Sequence, residues 1–95
     1  MNKYEMVIIV DAALLQDEKE KIIKEVSDII SKCEGKVINS QIWFEKQKLA
    51  FRMKKKTEGT YYIINFEGKH SELAKQRQLI KLNEKVLRSL IIKVE

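Results

Sequence analysis

Apolar positions along the chain fall into blocks of different period, and each block predicts one element. Residues 4–10 contain Val7, Ile8, Ile9 and Val10 in unbroken succession. A short β-branched run of this kind predicts a strand buried on both faces, and therefore central in its sheet. From Asp17 onward the period changes: Ile22, Val26, Ile29, Ile30 and Cys33 recur at helical spacing. Asp17 and Glu20 stand where a capping box would start this helix, and Gly35 where it would stop. Between the apolar positions, Glu18, Glu20, Glu25 and Asp28 interleave with Lys19, Lys21, Lys24 and Lys32. That pattern predicts a solvated, nearly neutral outer face, a poor surface for a polyanion.

Residues 37–51 read as a second strand whose alternation slips over 45–48, predicting a bulge or twist there. Lys54 through Gly59 reads as a turn, and residues 60–66, rich in Tyr61, Tyr62, Ile63, Ile64 and Phe66, as a third strand closing a long hairpin. After Gly68, Ser71 is placed to cap a second helix with Leu73, Ala74, Arg77 and Ile80 on one side, running to about Lys81 or Leu82. Asn83 and Glu84 turn the chain into a last strand carrying Val86, Leu87, Leu90, Ile91, Ile92 and Val94. The order β-α-β-β-α-β is the split βαβ of α+β, ferredoxin-like folds, a four-stranded antiparallel sheet with two helices on one face. With no Pro, no linker-like segment and no shift of composition, residues 1–95 read as a single domain.

Charge adds a direction. Nineteen Lys and Arg against fourteen Asp and Glu give +5, favouring a polyanionic partner. Only Arg52, Arg77 and Arg88 are arginines, so most of the charge suits diffuse phosphate attraction over forked, bidentate recognition. No apolar run approaches the ~18 residues a bilayer demands, and Glu5 interrupts what would be a signal peptide; a cytosolic protein without membrane or small-molecule partners is expected. Cys33 and His70 are each the sole residue of their kind. One cysteine makes neither an internal disulfide nor a cysteine cage, and no nucleophile, base and orienting group assemble around His70, so neither catalytic residues, a metal nor a cofactor is expected. Cys33 reads as a buried apolar residue and His70 as a surface one.

Three stretches carry the functional alternatives. Lys46, Lys48, Arg52, Lys54, Lys55 and Lys56 occur with no acid among them, a basic hairpin that either meets a phosphate backbone or simply solvates an edge. The segment 59–66 lies where RNA recognition motifs place stacking aromatics, but Glu58, Thr60, Tyr61 and Asn65 depart from that motif, which favours packing over base stacking. A stand-alone single-stranded RNA binder remains the alternative on this ground, and a ferredoxin-like small-ligand domain the alternative on fold alone. Trp43 and Phe44 are adjacent, so in a strand they point to opposite faces and at most one faces the helical core; the other is either a candidate contact for a partner protein or a single exposed apolar residue that needs no explanation.

Taken in order, several segments resemble the bacterial small-subunit ribosomal protein S6 family over essentially the whole chain. They are Tyr4-Glu5 before the first strand, Gly35-Lys36-Val37 at the helix exit, Leu49-Ala50-Phe51, the lysine-rich stretch from Lys54 through Gly59 to Tyr61 and Tyr62, and Val86-Leu87-Arg88-Ser89-Leu90-Ile91-Ile92-Lys93. Departures are Glu45 in place of a usual glycine, Lys46, Gln47 and Lys48 in an arginine-richer segment, and the absence of the prolines common after the first strand and after the Leu-Ala-Tyr segment. The resemblance implies a scaffold that binds the central domain of small-subunit ribosomal RNA together with ribosomal protein S18. It implies phosphate contacts from Lys3, Arg88 and Lys93, a second group in Lys54, Lys55 and Lys56, and partner-protein contacts from Trp43, Phe44 and Phe51. It also implies a location in the small ribosomal subunit of the cytoplasm.

Overall fold

A computed structural model describes the backbone of residues 2–53 and 56–94 and the side chains of residues 2–43 and 58–94. The β-branched run lies in β1 (Asn2–Asp11), which pairs antiparallel with β3 (Lys56–Gly68) on one side and β4 (Val86–Lys93) on the other. Strand β2 (Lys36–Met53) adds outside β3, giving the order β2-β3-β1-β4. Helices α1 (Gln16–Lys32) and α2 (Leu73–Lys81) complete the ferredoxin-like β-α-β-β-α-β order.

Both faces of β1 are apolar because both are covered. Tyr4, Met6, Ile8 and Val10 enter one core with Tyr62, Ile64 and Phe66 of β3, Ile22, Val26 and Ile30 of α1, and Ile80 of α2. Within it the Tyr4 and Phe66 rings stack with centroids 5.4 Å apart, an arrangement worth about 0.5–1.5 kcal/mol beyond area burial. On the opposite face Val7 and Ile9 are buried by Tyr61, Ile63 and Leu87 of the neighbouring strands, with no helix needed.

Both helix starts differ from expectation. The chain turns into α1 at Leu15, in extended conformation and with no side-chain cap, so the Asp17–Glu20 capping box does not form. Asp17 and Glu18 instead lie in the first turn, where carboxylates complement the positive end of the helix dipole. Lys19, expected in the solvated face, is only 6% exposed; three residues before Ile22, its aliphatic stem extends the apolar stripe. Ser71 falls in a single 3-10 turn (His70–Glu72), and α2 begins after Glu72, again without a side-chain cap.

At the end of α1, Gly35 N–H donates to Ile30 C=O (2.9 Å) and Glu34 N–H to Ser31 C=O (3.2 Å), a Schellman pair. The left-handed residue is Glu34, at φ 60°, and not Gly35. Gly35 is required for another reason: a Cβ there would stand 2.7 Å from Ile30 Cγ2 and 2.9 Å from the Ile30 carbonyl oxygen.

The hairpin is longer than expected. Strand β2 reaches Met53, which pairs with Lys56, so residues 56–59 are strand and not turn; Lys54 and Lys55 lie outside the described residues. The register shift between Phe44 and Gln47 matches the predicted slip, and others fall at Val37/Asn39, Ile42/Phe44 and Lys48/Met53. Helix α2 is set one step round from expectation. It buries Gln76 and Ile80, with Leu73 half-buried, and leaves Ala74 and Arg77 exposed. Gln76 is fully buried and neither polar atom of its amide has a hydrogen-bond partner.

Candidate nucleic-acid interface

The expected phosphate-binding residues occupy two places. Lys3, near the start of β1, and Lys93, the last residue of β4, are exposed at the same end of the sheet, where Val94 N–H donates to the Lys3 carbonyl (2.9 Å). Lys3 lies across from Glu67 and Lys93 across from Tyr4. Arg88 is exposed near the other end of β4, across from Ile9, with a bulge immediately beyond it. Five residues at the rise of a strand separate it from Lys93 by roughly 17 Å. Arg88 instead shares a groove with Arg77 and Lys81 of α2.

Sequence reasoning missed Arg77 and Lys81 as site residues. Their spacing of four is the available signal, but the apolar pattern of the sequence puts Arg77 on the inward side of α2. Among the described residues, the ion pairs whose geometry is defined are Lys69 Nζ to Glu34 Oε1 (3.2 Å) and Lys85 Nζ to Glu18 Oε2 (3.3 Å). Both are exposed pairs of the kind worth about 0–1 kcal/mol. Lys3, Arg77, Lys81, Arg88 and Lys93 form no ion pair with any described residue. Of the hairpin lysines, Lys54 and Lys55 lie outside the described residues, as does the side chain of Lys56.

Aromatic residues divide by face. Tyr62 and Phe66 are buried on the helix side and closed to a base. Tyr61 lies on the helix-free face, with Trp43 edge-on to it at 6.4 Å. Trp43 is 52% exposed, and Ile38 and Ile42 are exposed on the same strand. Phe44 and Phe51 belong to β2, but their side chains lie outside the described residues.

Cys33 is buried, and burial pushes its thiol pKa up against a smaller downward pull from Lys75, which keeps it protonated and unreactive at neutral pH. Among the described residues no cluster of His, Cys, Asp and Glu is disposed to hold a metal, and no helix is long and apolar enough to cross a membrane.

Fold and charge thus define a small ferredoxin-like protein with cations on β1, β4 and α2 that no described residue pairs. The chain belongs to the ribosomal protein S6 family, whose profile, described as "Ribosomal protein S6", matches residues 3–93. It is 34% identical over 95 residues to the small ribosomal subunit protein bS6 of Geobacter metallireducens, covering 100% of this chain and 80% of that one. With bS6 of Micrococcus luteus the identity is 28%, covering 100% of this chain and 93% of the relative. The crystal structure of 30S ribosomal protein S6 from Thermotoga maritima superposes with a TM-score of 0.85 at 22% identity, over 97% of this chain and 86% of that one. The C-terminal domain of the MgtC protein from Mycobacterium tuberculosis shares the fold at a TM-score of 0.64 and 8% identity, over 100% of this chain and 89% of that one. Family membership makes the chain a structural protein of the small ribosomal subunit, working in the cytoplasmic ribosome, and not an enzyme.

Proposed function

We propose that this chain binds the central domain of small-subunit ribosomal RNA jointly with ribosomal protein S18, acting as an assembly scaffold. The observation that carries the reading is the set Lys3, Arg88 and Lys93: all exposed, all on the β1–β4 side, none in an ion pair with a described residue. Each neutralised phosphate releases counterions and makes affinity fall with salt. Lys54, Lys55 and Lys56 form a second group of phosphate contacts. Partner-protein contacts come from β2: Trp43, with Phe44 and Phe51 on the same strand, beside exposed Ile38 and Ile42. So few specific cations leave affinity for RNA alone low, which is why a protein partner is needed.

The test is binding to a central-domain RNA fragment with and without S18, as a function of salt. Binding should tighten when S18 is added. Lys3→Ala with Arg88→Ala should reduce the slope of log affinity against log salt by about 1.4 to 1.8, roughly 0.7 to 0.9 for each phosphate no longer neutralised. Equal binding by wild type and double variant at low and moderate salt would show that these residues do not meet phosphate.

A further inference from the structure

We propose that the groove between α2 and β4 is a phosphate-binding track, so that an RNA strand runs along the outer edge of β4 from this groove to the Lys3–Lys93 end of the sheet. The proposal rests on the RNA-binding reading above and assigns to it two residues, Arg77 and Lys81, that neither the family resemblance nor the sequence singled out for it.

The groove has a volume of about 660 Å³. Arg77, Gln78 and Lys81 of α2 form one wall, Arg88 and Ser89 of β4 the other, and Ile80 lies between them. Among the described residues no carboxylate lines it. The groove on the other side of α2, facing α1, is different in kind: Glu18, Glu25 and Glu84 stand there among Lys21 and Lys85, and charge largely cancels. In the β4 groove Arg77 and Lys81, with Arg88 at the β4 rim, meet no lining carboxylate among the described residues, and uncancelled cations around a concavity concentrate positive potential.

Residue types narrow the ligand. Arg77 and Lys81, four apart on a helix, project from one face about 6 Å apart along its axis. Two of the three cations are arginines, whose planar forks match phosphate oxygens in pairs. The Gln78 amide and Ser89 hydroxyl supply neutral donors of the kind that contact phosphate and sugar. Among the described residues no aromatic side chain lines the groove, so it offers no stacking surface for a base. A phosphodiester backbone, engaged without regard to sequence, is the ligand this combination fits.

The experiment compares wild type with R77Q/K81Q on a central-domain fragment of small-subunit ribosomal RNA, S18 present, across a salt series. Removing two phosphate-neutralising charges should lower the salt slope by about 1.4 to 1.8 and weaken binding about 15- to 30-fold near 0.15 M salt. The conservative pair R77K/K81R should retain the wild-type slope. Both positions are exposed, so the urea midpoint of R77Q/K81Q should match wild type. A wild-type slope and affinity in R77Q/K81Q, while Lys3→Ala with Arg88→Ala still weakens binding, would remove the groove and leave the RNA-binding reading intact. Weaker binding with an unchanged slope, or loss of S18 affinity without loss of RNA affinity, would also overturn the track. Failure of wild type to bind the fragment at all would overturn both.

Discussion

Gln76 presents a sharp energetic test. Its side chain is fully buried on the core-facing side of α2, one turn before Ile80, and neither the amide nitrogen nor the amide oxygen has a hydrogen-bond partner. Leaving a buried polar group unpaired costs about 1–3 kcal/mol in desolvation. Replacing Gln76 by Met keeps the chain length and nearly the volume, and glutamine and methionine are close in helix propensity, so cavity and backbone terms almost vanish. Gln76→Met should therefore stabilise the fold by about 1–2 kcal/mol, which for a chain of this length raises Tm by roughly 4–16 °C. Urea unfolding is the assay: the midpoint should rise with an unchanged slope, since neither state changes in compactness. A drop in stability of about 1 kcal/mol or more would refute the reasoning, because it would mean that the amide is satisfied in solution, by an internal water for example.

Two further outcomes follow from the exit of α1. Gly35→Ala should destabilise by about 1–3 kcal/mol, because the new methyl must displace the Ile30 side chain and its carbonyl at distances below 3 Å; a change within about 0.5 kcal/mol in thermal or urea unfolding, the range of an ordinary surface substitution, would contradict that close approach. Glu34 is held below the usual carboxylate range, first by its hydrogen bond from Lys69 and then by that residue's charge. A depressed folded pKa gives stability that is complete above the unfolded value, near about 4.3, and is lost as pH falls through the folded one. Lys69→Met should thus leave a protein whose stability falls less between about pH 5 and pH 3 than that of wild type, and parallel acid-denaturation curves would show that the pair is not coupled to folding.

How much was legible in the sequence follows the range of the interactions concerned. The unbroken run at residues 7–10 announces a strand covered on both faces, and β1 is one, because two-sided burial writes itself into consecutive residues. The helix starts mislead because Asp17, Glu20 and Ser71 have capping chemistry, while the backbone turns at Leu15 and Glu72 for reasons that their own side chains do not state. In α2, nine residues give too few turns to fix the phase of the apolar stripe, so the pattern points Arg77 inward and passes over Gln76. Residues 56–59 look polar enough for a turn, yet they pair across to β2 or β1. The candidate site could be listed residue by residue from the sequence, but its geometry could not. Lys3 and Lys93 adjoin only because β1 pairs with β4, and Arg88 joins Arg77 and Lys81 only because α2 packs beside β4.

Among the described residues strand β4 has one neighbour, β1, and its other edge is open. Along it Leu90 and Ile92 are exposed between Arg88 and Lys93, with Val94 just beyond. An unpaired apolar edge is a template on which a second copy of the chain can add as a strand, and flanking charges are what discourage that addition. The cations proposed to meet RNA on this strand would therefore also set the solubility of the free protein. Arg88 or Lys93 variants should be compared with wild type at low micromolar concentration, with light scattering alongside, because self-association would consume the free protein and pass for weak RNA binding.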